Sequence, residues 1–551
     1  MVASRARSAS ISGVLRRIDG RGYKAYRMLL GASERVGRLR LSVVRVQGDP
    51  FAPPSVVKAT ARLELPGWAL RHPVAVADYI YRRLYRALQR HSARLGEGRS
   101  GFLGVPRPGP VMLRRSGVEL DKSGLLVVRV WAGLPSRRRR VLGDAAEELL
   151  LERLPRAVED AIRVDESSLR RHVDAWRLQE EVRSRLPGLG LVSFIGDGSI
   201  LPRRCGGCDD PLPGAVPFES PPSLRVEVET SLGIVTGMGI RRGVTVIAGT
   251  AFHGKTTLLE AIQYGVYNHV PGDGRERVVT IREAVKVHAE DGRSIACVDV
   301  STFVHSLPGG RDTRCFTTRD ASGATSMAAA IQEAVEAGAK LILIDEDTSA
   351  TNLLFYDERA APLLRRKTVT TIAEQAASMA SKGVSLVIVS SGSMPLIASA
   401  DTVIVMEDYI PRDATDEARR LASRTSYAGY SLPADRVLVD VPRLAKPRLR
   451  GSWLVAKGLE EPLNLESNEQ LVEEGQLRLL VALASRLESV KGMLMRDIVR
   501  RIDQDAGEGF QRLTGGEPGP GYAEVRGIDV VYMVNRIPGI RVHQAQKHVN
   551  E

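Results

Sequence analysis

Eight residues, Gly249-Thr250-Ala251-Phe252-His253-Gly254-Lys255-Thr256, join an apolar run, Val244 to Ala248, to a helix-forming run, Thr257 to Tyr267. A β-branched strand that delivers a glycine-bounded loop to the start of a helix builds one kind of site. Loop amides cradle phosphates, and the helix offers its positive N-terminal end. A glycine-rich surface turn carrying a solvated lysine would need neither the strand before it nor the helix after it. The pattern names Gly249, Thr250, His253, Gly254, Lys255, Thr256 and Thr257 as candidate nucleotide-binding residues.

Two further segments extend this reading. Leu341-Ile342-Leu343-Ile344-Asp345-Glu346 is four apolar residues closed by two carboxylates, the form of a buried parallel strand whose C-terminal end faces the phosphates. Asp345 is placed to hold Mg²⁺ together with the Thr256 hydroxyl, and Glu346 points at the place of an attacking water. The bland alternative is a solvated strand end. Between the loop and this strand, Ala321-Ser322-Gly323-Ala324-Thr325-Ser326 precedes a helix-forming stretch, Met327 to Glu336. Small residues there let backbone approach an anion, so Ser322, Gly323, Ala324 and Thr325 form a second phosphate-type candidate site.

The order and spacing resemble the ABC-class ATPases, whose signature loop precedes the acidic strand by one helix. Asp347-Thr348-Ser349-Ala350-Thr351-Asn352 stands where that class has its D-loop, and the apolar run Val384 to Val389 ends in Ser390-Ser391-Gly392-Ser393, where it has a switch histidine. Stretches near Ile18 to Tyr26, Val46 to Ala52, Pro271 to Glu276 and Ala289 to Arg293 narrow the resemblance to ABC-class ATPases that are not transporter subunits. It spans about residues 14 to 541. The resemblance implies ATP and Mg²⁺ as cofactors and a head-to-tail homodimer with Ser322 and Gly323 acting in trans. Lys255, Glu346 and Ser391 become the catalytic candidates, Ser391 standing in for the histidine. Glu290 lies near the Q-loop glutamine position and joins Thr256 and Asp345 as a metal candidate, while Asp347 replaces the usual proline. Only 30 positions separate Asp291 from Ala321, leaving little room for the helical subdomain that grips a permease, so no transporter partner is expected.

Charge adds a second partner. Residues 1–140 hold 29 Lys and Arg against 8 Asp and Glu, whereas the other 411 residues hold 49 against 57. A surplus confined to the front quarter is the electrostatic footprint of polyanion contact, although arginine-rich composition overall can reflect a heat-adapted source. Tyr79, Tyr81 and Tyr85 interleave with Arg82, Arg83 and Arg86 on one helix, and Arg137, Arg138, Arg139 and Arg140 follow a strand. Aromatics that stack bases beside guanidiniums that pair phosphates suit single-stranded nucleic acid, with RNA favoured over DNA. The competing reading makes the tyrosines core and the arginines solvated.

The expected architecture is α/β. A basic N-terminal α+β domain (1–215) precedes a P-loop ABC-type core with a mostly parallel sheet (216–435), and a small C-terminal α/β accessory domain (436–551) follows. A continuous helical stretch is expected over about 144–186, and Phe218 is a weak candidate for stacking on adenine. The first dozen residues, with Arg5, Arg7 and four serines, read as a basic tail. No apolar run is long enough to span a membrane. Cys205, Cys208, Cys297 and Cys315 read as thiols of a reducing, cytoplasmic compartment, because no histidine or second pair completes a zinc site beside Cys205-Gly206-Gly207-Cys208; a Cys205–Cys208 or other disulfide fits if the source is an extreme thermophile. Two alternative functions fit the same motifs: an ATP-gated scaffold with little turnover, and an ATPase that remodels a protein assembly.

Overall fold

In the computed structural model of the protein, residues 9–356, 367–421 and 427–545 are described, so most of the basic tail lies outside them. The chain divides into two compact units. The first takes residues 1–176 with 473–479 and 508–524; the second takes 177–472, 480–507 and 525–551. The expected boundary at 215 therefore falls inside the second unit, and residues 436–551 are shared between both rather than forming a domain of their own.

The first unit is built on an antiparallel sheet. Its strands are β1 (Ser33–Val36), β2 (Leu39–Arg45), β3 (Ser55–Arg62), β4 (Leu103–Gly104), β5 (Val118–Leu120) and β6 (Leu125–Ala132), in the order β1-β2-β3-β6-β4 with β5 also on β6. The helix α1 (Pro73–His91) starts with proline at its first turn, where the missing N–H costs nothing, and buries Ile80, Tyr81, Leu84 and Leu88. The expected single helix over 144–186 is broken. A π-helical turn at Glu148–Arg153 precedes Pro155, and the helix α2 (Leu154–Ile162) ends at Ile162. Proline has no N–H to continue the regular ladder, which accounts for the widened turn.

One buried ionic cluster explains why a late segment belongs to this unit. Asp78, wholly buried, accepts from Arg82 Nε at 2.7 Å, from His172 Nε2 at 2.9 Å and from Arg115. Arg115 Nε donates in turn to Glu473 at 2.9 Å, and the Gly109 amide donates to the same carboxylate. Desolvation alone would raise the Asp78 carboxyl; Arg82, Arg115 and His172 outweigh it and hold the group well below the ordinary carboxylate range. Arg129 likewise binds Glu119 and Glu517, anchoring residues 508–524.

The second unit holds two sheets that matter for the site. An antiparallel one comprises β7 (Leu191–Gly196), β8 (Arg225–Thr230), β9 (Gly233–Arg241) and β11 (Val278–Thr280), in the order β8-β9-β7-β11. The other has β10 (Val244–Ala248), β12 (Ala284–Val287), β15 (Leu341–Asp345), β16 (Ser385–Ser390), β17 (Thr402–Glu407) and β18 (Ile410–Asp413). Its order is β12-β15-β16-β10-β17-β18, parallel throughout except for β18, as the apolar, β-branched runs require of strands covered on both faces. Between β12 and β15 the chain forms an antiparallel pair, β13 (Ile295–Val298) with β14 (Phe316–Thr318), and the helix α4 (Gly323–Glu336), which follows the phosphate-loop helix α3 (Lys255–Tyr264) in the chain. No α-helix lies between β13 and β14, in keeping with the short spacing read from the sequence.

The cysteines depart from expectation. All four are paired, Cys205 with Cys208 and Cys297 with Cys315. A turn closed by the Cys208 amide on the Cys205 carbonyl brings the first pair together, and the β13–β14 pairing brings the second. Replacing Asp78 by asparagine removes the counter-charge of a buried arginine. It is expected to lower unfolding stability by roughly 3–5 kcal/mol, read from chemical denaturation.

Candidate functional site

The site follows from strand register. In the parallel ladder, Ala248 lies opposite Ser390 and Asp345 opposite Val389, so the C-terminal ends of β10, β16 and β15 share one edge. Open parallel sheets bind ligands at that edge, where the loops leave the strands. The phosphate loop leaves β10 there and enters α3.

Gly249 (φ 140°) and Gly254 (φ 92°) adopt backbone conformations that few other residues reach, and a Cβ on Gly249 would sit 2.7 Å from the Met406 carbonyl. Phe252 takes φ 67° and is 93% exposed. Lys255 is buried, its Nζ donating to the Thr250 carbonyl at 2.7 Å. His253 Nδ1 accepts from the Asp408 amide at 2.8 Å, which ties the loop to the tip of the β17–β18 hairpin. Thr257 lies in the first turn of α3.

Two pairs of candidates meet at the edge. The Thr256 hydroxyl lies near enough to the Asp345 carboxyl to lower it, and the Ser391 amide donates to Glu346 Oε2 at 2.8 Å. Burial raises the Asp345 carboxyl above its ordinary value, while the Asp347 amide, Lys286 and Thr256 pull the other way. A hydroxyl and a carboxylate on one edge are hard oxygen donors of the kind Mg²⁺ takes. Ser391 holds Glu346 through its backbone, a contact that needs no particular side chain.

The second candidate group forms around the start of α4. Ser322 is its N-terminal cap and is exposed; Thr325 is buried, donating to the Ser322 carbonyl at 3.0 Å, so it serves the turn rather than a ligand. A Cβ on Gly323 would approach Asp291 Oδ1 to 3.3 Å, a tight contact that a small shift of that side chain relieves, and Ala324 is half-buried. Residues 289–293 stitch this turn to the acidic strand end. The Ala289 amide donates to the Thr348 carbonyl at 3.0 Å, the Gly292 amide to Ala321 at 2.8 Å, and the Glu290 amide to Ser326 Oγ at 2.9 Å.

Three expectations are corrected. Glu290 is not held with Thr256 and Asp345: its carboxylate is taken by the guanidinium of Arg536, with Nε–Oε2 at 3.0 Å. Burial would raise it, but the Arg536 charge and hydrogen bonds, then Arg293 and His288, lower it to about 2. Phe218 is buried and cannot stack on a base. In the first unit, Arg82 donates to the carbonyls of Gly109 and Val111, and Arg83 to those of Asp160, Ala161 and Arg163, so both are structural. Tyr81 is buried and Tyr79 bonds Ser168. Arg86 is exposed, and so are Arg137–Arg140, which form a tight hairpin with Arg138 and Arg139 at φ 49° and 55°. Sequence reasoning missed Arg536 as the partner of Glu290, because no local pattern links positions 246 apart.

Two outcomes are expected. Ser391→Ala keeps nucleotide turnover within about threefold of wild type, since the amide survives; a loss comparable to removing Glu346 would assign the role to the hydroxyl. The depressed Glu290 carboxyl contributes stability fully above its ordinary value of 4.5, and that contribution is lost as pH falls toward about 2. Denaturation across this window is expected to show wild type losing up to about 3 kcal/mol more than Glu290→Gln; parallel pH profiles would contradict the ion pair.

Two family models match this chain. The family model described as the P-loop domain of ABC ATPases matches residues 165–441, and that described as the N-terminal part of ATPases of the ABC class matches 8–164. An uncharacterized protein of Methanocaldococcus jannaschii is 34% identical over 241 residues, covering 42% of this chain and 53% of the relative, so the chain spans about half the length of that relative. Among solved structures, the ADP conformation of an ATP-binding cassette of an ABC transporter is 12% identical at a TM-score of 0.24, covering 34% of this chain and 87% of the cassette. A component of a Clostridium perfringens ABC transporter complex is 17% identical at 0.22, covering 34% of this chain and 84% of its own. No described helix is long and apolar enough to cross a membrane. The phosphate loop, the paired strand ends and the two family matches together make this chain a member of the ABC-class P-loop ATPases.

Proposed function

We propose that the protein binds and hydrolyses ATP in a head-to-tail homodimer, and that the cycle is coupled to nucleic-acid binding by the first unit, with RNA favoured over DNA. The observation that carries the reading is the shared strand edge: Lys255 and Thr256 leave one strand, Asp345 and Glu346 another, and Ser391 fixes the Glu346 carboxylate. Lys255 and the loop amides neutralise the β- and γ-phosphates, and Glu346 orients the attacking water. Mg²⁺, held by Thr256 and Asp345, would supply charge neutralisation at the phosphates. The exposed Ser322 cap suits contact with the γ-phosphate of a second copy. Arg86, Arg137 and Arg138 are exposed and suit a polyanion, whereas Arg139 pairs with Asp49 and Arg140 donates to the Gly20 carbonyl.

Glu346→Gln is expected to keep ATP binding, lose at least about a hundredfold in turnover, and accumulate as an ATP-bound dimer by light scattering. A variant that stays monomeric with bound ATP rejects the dimer, and one that turns over normally rejects the assigned role of Glu346. Replacing Arg137–Arg140 by serine is expected to weaken binding to single-stranded RNA and flatten its salt dependence. An unchanged salt slope would favour a protein assembly or a slow ATP-gated scaffold instead.

A further inference from the structure

Three loops of the first unit meet at one end of its antiparallel sheet: residues 49–54 ahead of β3, residues 97–102 ahead of β4, and residues 133–141 after β6. Strand register brings them together, because Ser55 and Leu103 both lie opposite Ala132. Backbone hydrogen bonds then lock the loops to one another. The Arg99 amide donates to the Pro50 carbonyl at 3.0 Å, the Glu97 amide to the Ser136 carbonyl at 3.0 Å, and the Gly101 amide to the Gly133 carbonyl at 2.8 Å.

Two phenylalanines stay open to solvent on this framework, Phe51 at 62% and Phe102 at 40% exposure. Each ring rests on a glycine. A Cβ on Gly98 would stand 3.2 Å from the Phe51 ring, and one on Gly104 would overlap the Phe102 ring. Backbone beneath a ring orients it while its remaining surface faces water, where folding gains nothing from an aromatic group. Arginines share the patch: Arg99, Arg137 and Arg138 are exposed and pair with no carboxylate among the described residues, while Asp49 is taken by Arg139.

The hairpin between Arg137 and Arg140 supplies an independent observation. Both of its central residues are left-handed, Arg138 at φ 49° and Arg139 at φ 55°, a turn that Asn-Gly makes at least cost. Arginine at both positions costs energy that the turn itself does not require, and the neighbouring loops enforce it. The Arg139 amide donates to Glu97 Oε1 at 2.6 Å, and the Arg139 carbonyl accepts from the Tyr23 amide at 2.8 Å. The strain presents the Arg138 guanidinium beside the two open rings.

We propose that these loops form a stacking platform for single-stranded nucleic acid, with Phe51 and Phe102 each taking a base and Arg99, Arg137 and Arg138 pairing with phosphates. Such a platform rests on the nucleic-acid reading proposed above and says where the bases go, since Tyr79 and Tyr81 are engaged within the unit. Every base offers a π-face, so the platform tolerates sequence.

The test is fluorescence anisotropy on the full chain with labelled oligothymidylate of about twelve nucleotides, an abasic strand of the same backbone and length, and oligouridylate. Phe51→Ala, Phe102→Ala, their tyrosine counterparts and Arg99→Ser are compared with wild type, and unchanged melting certifies their fold. Expected is tighter binding of the base-bearing strands than of the abasic one, a margin that falls about fivefold or more with each alanine and survives tyrosine. Affinity for the abasic strand stays at the wild-type level in the alanine variants. Arg99→Ser is expected to weaken all three strands and to lower the salt slope by about one. Alanine variants that hold oligothymidylate and oligouridylate as wild type does, or that lose the abasic strand equally, overturn the platform while nucleic-acid binding stands. Wild type that holds none of the three strands overturns the nucleic-acid reading itself, and the platform with it.

Discussion

The parallel ladder across β15, β16 and β10 is the constraint on which the chemistry depends. Its hydrogen bonds fix register to the residue, and register alone decides that the end of one strand releases a phosphate loop beside the acidic end of another. A slip of one position would turn Asp345 to the opposite face of the sheet and part it from Thr256. The middle strand, β16, contributes little side-chain chemistry. Its job is to present an amide, at Ser391, to the carboxylate of its neighbour.

What could be read from the sequence followed from how local each signal is. Val244–Ala248 and Leu341–Asp345 appear as strands at the expected residues because continuous apolar runs bounded by glycine or acid have few other uses. α4 begins at Gly323, four residues before the helix-forming stretch read from Met327, so part of the small-residue segment read as a loop is its first turn. Glu290 was misread because its partner arrives from near the end of the chain, and the pairing of Cys297 with Cys315 depended on two short strands with no strong periodicity. The boundary at 215 failed for a similar reason: β7 reads as an N-terminal element but pairs with β9 and β11.

The arginine surplus of the front quarter shows how composition divides when a chain folds. Arg82, Arg83, Arg115 and Arg129 spend their donors on carbonyls and carboxylates, binding distant segments into one core. Guanidinium suits this work, being planar, permanently charged and rich in directed donors. Only the remainder, Arg137–Arg140 foremost, stays at the surface. Counting charges overstated the polyanion footprint, since part of it is internal mortar.

The interleaved assignment of the late segments bears on how the molecule comes into being. The Asp78 cluster needs the Glu473 carboxylate and Arg129 needs Glu517, so the buried ion pairs of the first unit are complete only once residues 473–479 and 508–524 have joined it. Changes in residues 473–479 or 508–524 would therefore be felt in a unit built mainly from residues 1–176.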